Sequence, residues 1–280
     1  MKRTRKYPLS SEKILQAENL SAIELRLLVS NYYQAQEMRK RMDLQVRHLG
    51  DRQPLQITTF AAEAFADIEQ QIAKALDKLT ADPVALWLKS QRGIGPVITA
   101  GLLAHIDISK APTAGHIWSF AGLNPEMKWE KGEKRPYNAE LKQLTWHAGQ
   151  CFLKQSNDPD CFYGKLYREK KKEYEARNER GGFAGKAKEY KGVTDKGNKQ
   201  LLADGKVPKA YIDACARRYA VKIFLSHLHA VMYWDHFKKA PPKPFAISIL
   251  GHAHEIEIPH ANMFDGFAEA YQQTFLQAAE

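Results

Sequence analysis

The sequence is short of cysteine, of long apolar runs and of acidic residues, and each shortage excludes something. Three cysteines, Cys151, Cys161 and Cys215, with no CxxC pair among them, do not make a disulfide framework and fit a reducing compartment. No apolar run reaches the roughly eighteen residues that a membrane span requires, so no membrane partner is expected. The start MKRTRKYPLS is basic, but no apolar stretch follows it as a secretory signal demands. A cytoplasmic protein is the expectation. Asp and Glu number 32 against 42 Lys and Arg, a net charge of +10, which suits a polyanionic partner or else marks an inert basic surface. A hydrophobic content of 44% in 280 residues excludes disorder as the main state and leaves room for one large domain or two modest ones.

What is present is helical patterning. Ser21-Ala-Ile-Glu24 has the form of a capping box, and Leu28, Tyr32, Ala35, Met38, Met42, Val46 and Leu49 follow at three- and four-residue steps until Gly50, which predicts one long amphipathic helix. After a break at 51–54, Phe60, Ala64, Phe65, Ile68, Ile72, Ala75 and Leu79 repeat the pattern before Asp82-Pro83. Residues 1–82 thus read as a helical hairpin or coiled coil, packed as a bundle core or offered to a second copy in a homo-oligomer. Residues 83–150 read as helix, tight turn and further helices. Residues 151–207 form a polar, basic insert whose stretch RGGFAGKAKEYKG is expected to be a flexible loop. Residues 208–280 hold a long helix opened by Pro208 and closed by PPKP, then the tail FAISILGHAHEIEI, the one β-like alternation, too short for a sheet of its own. The fold class is mainly α, without an internal repeat.

The sharpest local feature is Arg92-Gly93-Ile94-Gly95-Pro96-Val97. Two glycines about one apolar residue let the chain reverse, and a helix beginning at Pro96 leaves its first amide groups unpaired. Ile94 would pin such a turn while Gly93 and Gly95 admit a phosphate backbone to the helix start. A tight helix-to-helix turn without a ligand fits this stretch equally.

In order along the chain, GIGPVITAGLLAHI, WSFAGLNP, an exposed basic segment and NAELKQLTWHAG resemble the C-terminal domain of the DEDD/serine insertion-sequence transposases, the RNA-guided bridge recombinases, over about residues 86–150. FYGKLYREKKKEYE, PKAYIDACARRYAVKIFLSHLHAVMYW and PKPFAISILGHAH resemble the longer C-terminal part of related chains. The resemblance implies a helix-hairpin-helix domain and a role in DNA transposition or site-specific recombination. It also implies a RuvC-like nuclease domain with acidic metal ligands ahead of a coiled coil, and a nucleophilic serine just beyond the glycine-leucine-x-proline segment. This chain starts at about the coiled-coil level, with no aspartate-bearing strand legible before Leu28. Lys128-Trp129-Glu130-Lys131-Gly132 stands where the serine is expected and holds no serine, threonine or cysteine. By that mechanism the chain alone is not expected to transfer strands.

Other candidates for chemistry read as structural. Ser119 sits between Trp118 and Phe120 as a small packed hydroxyl, and Tyr137, beside Lys134 and Arg135, stacks or packs rather than attacks a phosphodiester. Six of the ten histidines, His227, His229, His236, His252, His254 and His260, fall in the last quarter. His252 and His254 on one strand face, joined by His227, would offer three nitrogens to a metal, but a hydrogen-bonded core histidine is the ordinary reading of His227. His147 and Cys151, four apart with Cys161 nearby, match no zinc pattern.

The nucleic-acid-binding set is therefore Arg92, Gly93, Ile94, Gly95 and Val97 at the turn, with Lys128, Lys131, Lys134 and Arg135 beyond it, where Trp129 and Tyr137 interleave for stacking. Lys170, Lys171 and Lys172 alternate with glutamates as a solvated helix face does. Arg217-Arg218, in mid-helix, fit either reading, and Lys2, Arg3, Arg5 and Lys6 form a short basic arm. The expected partners are DNA and structured RNA. No cofactor is expected, and a divalent metal enters only with a partner or second site that supplies catalysis. Three alternatives remain from the residues: a non-catalytic, structure-specific repair module, a histidine-metal hydrolase and a helical scaffold.

Overall fold

The computed structural model describes residues 20–49, 56–78, 82–192, 195–242 and 256–276, without side chains for 272–276. Its regular structure is mainly α, with no strand among the described residues. The basic arm 2–6, Leu79, and most of the β-like tail, including His252 and His254, lie outside them. The chain divides into two compact units: Met1–Lys89 with Gly95–Asp107, and Ser90–Ile94 with Ile108–Glu280.

In the first unit, α1 (Ala22–Leu49) packs along α2 (Gln56–Asp77). The capping box is formed: Ser21 N donates to Glu24 Oε2 at 2.8 Å and Glu24 N to Ser21 Oγ at 3.4 Å, satisfying amides the helix start would otherwise leave free. Leu25, Val29 and Ala35 face inward on α1, and Ala62, Ala75 and Leu76 on α2. The two helices share one buried carboxylate. Glu69 accepts from Arg39 Nε at 2.6 Å and from Gln36 Nε2 at 3.4 Å, so its charge is paired where burial alone would be costly. Phe60, on the periodic face of α2, nonetheless stands 69% exposed.

α3 (Pro83–Ser90) begins behind Asp82, whose Oδ1 accepts from Val84 N at 2.8 Å, and it buries Trp87 completely. α4 (Pro96–His105) is apolar on every side and buried along most of its length, packing on α1 and α2, as expected of a helix without a polar face. Arg26 Nε donates to Ala104 O at 2.8 Å, tying α1 to the end of α4.

The second unit is organised on one long helix. It contains α5 (Ala114–Phe120), α6 (Ala139–Lys154), α7 (Phe162–Glu179), α8 (Ala184–Glu189), α9 (Lys196–Ala203), α10 (Lys209–Phe237) and α11 (Phe267–Leu276). α10 packs on α5, α6 and α7 and buries Ile212, Ala216, Ala220, Phe224 and Leu228 against them. Pro208 caps α10 in extended conformation, and the helix ends at Lys238, which takes a left-handed conformation. Asn138 caps α6 through Oδ1, accepting from Leu141 N at 2.8 Å.

The stretch 180–192, read from sequence as a loop, contains α8. Ala187 is buried with Val207 and Ile212, and Tyr174, Phe183, Leu202 and Tyr211 close over them. The helix therefore exists because of apolar partners remote in sequence, which outweigh the local glycines. Buried Asn178 fastens this region, donating through Nδ2 to Val207 O at 3.0 Å and accepting from Val207 N at 2.9 Å.

His227 and His229 are core residues. His227 Nε2 faces Ile256 O at 3.1 Å, an acceptor only, so this nitrogen carries the proton and Nδ1 accepts from Tyr163 Oη at 2.9 Å. Burial lowers the His227 pKa to about 4 from an ordinary 6.5, and burial likewise lowers that of His229, which donates to Ala111 O at 2.8 Å.

Two outcomes follow. The unfolded chain takes up a proton at position 227 below pH 6.5 while the folded one resists until about 4, so this group's stabilisation is complete above 6.5 and is lost as pH falls towards 4. The loss is about 3 kcal/mol, and urea titrations across that window should show a shallower pH dependence for His227→Gln than for the natural protein; parallel curves would refute it. A Cβ on Gly164 would stand 2.9 Å from Phe152 O and 2.9 Å from Ser156 Cα, so Gly164→Ala should destabilise the protein by about 1–2 kcal/mol, read as a lower melting temperature.

Candidate nucleic-acid interface

The turn between α3 and α4 is built as its residues require. Gly93 takes φ +93, and a Cβ there would stand 3.2 Å from Cys151 Cβ, so both conformation and packing favour glycine. Ile94 is buried, and its amide donates to Gln91 O at 2.9 Å. Gly95 differs: φ is −94, a value open to any residue, and a Cβ would meet nothing within 4 Å. Gly95 precedes Pro96 at the start of α4 without a side-chain cap. The Val97 side chain is buried, so only its backbone could meet a ligand.

Arg92 is exposed but not isolated. Its Nε donates to Asp158 Oδ2 at 2.8 Å, and the pairing raises the guanidinium pKa and lowers that of the carboxylate. Cys161 Sγ lies 3.7 Å from Arg92 O. All three cysteines are free, and burial raises the thiols of Cys151 and Cys161, which leaves them poor nucleophiles.

Lys128, Lys131, Lys134 and Arg135 are all exposed in the irregular segment between α5 and α6. Trp129 stands beside them 42% exposed, with Arg135 Cζ 5.8 Å from its ring centre. Tyr137 packs down on the chain instead: Gly122 lies beneath its ring, and Lys142 Nζ is 4.2 Å from the ring centre.

A second basic and aromatic surface was not singled out as a site from the sequence. Between α6 and α10 a groove of about 350 Å³ is lined by Lys142, Trp146, Arg217 and Arg218 over a floor of Gly149 and Val221. Trp146 is 56% exposed. Arg217 pairs with Asp213 at 3.2 Å, while its buried Nε has no hydrogen-bond partner among the described residues. Asp213 also accepts from Tyr167 and from Lys171; burial alone would raise its carboxyl pKa, but these bonds hold it below the ordinary value. Lys222 follows one turn after Arg218, and burial, then the field of Arg218, lowers its ammonium pKa. The legible signal was Trp146, which falls off the apolar face of α6 marked by Leu141, Leu144 and Ala148.

Among the described residues no three His, Cys, Asp or Glu side chains are grouped to hold a metal ion. His227, weighed as a metal ligand and read as a core histidine, has both ring nitrogens engaged. No helix of the described residues is long and apolar enough to cross a membrane.

Neither the curated proteins nor the solved structures contain a match to the chain. Residues 85–158, which include the turn, the exposed basic segment and α6, match the model of the family described as Transposase IS116/IS110/IS902 family, and over that segment the chain is similar to these transposases.

Proposed function

We propose that this protein is a DNA-binding member of a transposition or site-specific recombination system. The backbone of Gly93 to Val97 holds phosphate, with Arg92 and Ile94 fixing the turn, and Lys128, Lys131, Lys134 and Arg135 hold the adjacent strand. The reading rests on one observation: the transposase match over 85–158 encloses both the Gly93–Gly95 turn and that exposed basic segment. The chemistry suits it, since amides at a helix start and lysines beyond it contact phosphates without reading bases. We assign no catalytic residue. Strand cleavage and joining would then fall to a partner or to residues outside these elements, with structured RNA as a further ligand of the same basic surface.

A second copy is proposed to cover the first unit. Ile23, Leu27, Met38 and Leu49 are exposed on α1, Leu27 by 58%, and steps of four and eleven residues set them along one face. Ile57 and Phe60 are exposed on α2. An apolar stripe of this kind is what oligomerising helices bury.

Binding to labelled duplex DNA should weaken steeply with salt. Lys131→Ala with Lys134→Ala should reduce the slope of log affinity against log salt by about two; an unchanged slope would remove that segment from the interface. Gly95→Val, which the fold accommodates, should weaken binding about tenfold by blocking backbone approach, and unchanged affinity in the folded variant would refute the phosphate-holding turn. A non-catalytic repair module and a transposase part on this protein with pure protein and element ends: joined or cleaved ends speak for the transposase.

A further inference from the structure

We infer that the groove between α6 and α10 takes an unpaired nucleotide of a single strand, its base stacked on Trp146 and its phosphate held by Arg217, Arg218 and Lys142. This rests on the nucleic-acid-binding reading above and gives it a second, distinct subsite.

Three observations carry it. Trp146 is 56% exposed beside cations from two helices, and an aromatic face with adjacent guanidinium groups is the arrangement that binds single strands. The groove is short of counter-charge: Lys142, Arg217 and Arg218 line it without an acidic residue among the lining, and Asp213 pairs with Arg217 alone of the three. Arg217 Nε is buried and without a partner among the described residues, a donor that a phosphate oxygen would satisfy. Size selects the ligand. A volume of about 350 Å³ is at the lower end of small-ligand sites, enough for one nucleotide and too little for a stacked duplex.

The test is anisotropy with the full chain against a labelled oligothymidylate and a labelled duplex. Trp146→Ala should weaken the oligothymidylate about tenfold or more and leave the duplex within about twofold, while Trp146→Phe should retain the wild-type affinity. Arg217→Ala with Arg218→Ala should lower the single-strand salt slope by about one to two. Circular dichroism should show unaltered helix content for Trp146→Ala, since an exposed ring leaves the core intact. Equal affinity of Trp146→Ala and wild type for the oligothymidylate would overturn the subsite alone. Failure of the wild type to bind either oligonucleotide would overturn the DNA-binding reading as well.

Discussion

The close approach of α6 and α10 is the constraint on which the second unit depends. Gly149 faces Val221 so closely that a Cβ there would stand 3.0 Å from Val221 Cγ2. With no side chain at that position the two helices come together without overpacking, and the residues one and two turns away flare into a groove. Lys142 and Trp146 come from one wall, Arg217 and Arg218 from the other. A larger residue at the contact would separate the walls and disperse the charges.

The remaining packing holds α10 in place for that contact. Phe152, Tyr163 and Phe224 meet ring to ring at 5.0–5.4 Å between centres, joining α6, α7 and α10 in one aromatic cluster, a geometry favoured beyond the area buried. His227 extends the cluster to Ile256 through its second ring nitrogen. At the other end, the paired bonds between Asn178 and Val207 fix the entry to α10. Asn178 and His227 are buried with both of their polar side-chain atoms paired, which makes the arrangement specific as well as stable.

Much of this was legible in the sequence, for reasons that can be named. The Ser21–Glu24 capping box and the three- and four-residue periodicity are local signals, and they marked α1 and α2. The mainly α class followed from the scarcity of alternating patterns. The Gly93–Gly95 turn was legible because a positive φ leaves a trace in residue choice. What was not legible is non-local. α8 forms within a glycine-rich stretch because Ala187 and Phe183 reach Val207, Tyr211 and Ile212, and no local rule reports that. The groove joins α6 to a helix remote in sequence, so Trp146 and the Arg217–Arg218 pair looked unrelated. His227 reads as a hydrogen-bonded core histidine from its place near the apolar stripe, but its partners, Tyr163 and Ile256, come from elsewhere in the chain and left no local trace.

The central claim is that nucleic acid lies along the basic and aromatic surfaces of the second unit. Photocrosslinking of the full chain to an iodouridine-substituted strand, with the attached peptides identified by mass spectrometry, tests it most directly. The account predicts adducts at Trp146 and within 128–137. Adducts confined to α1, α2 or the exposed face of α7 would contradict it.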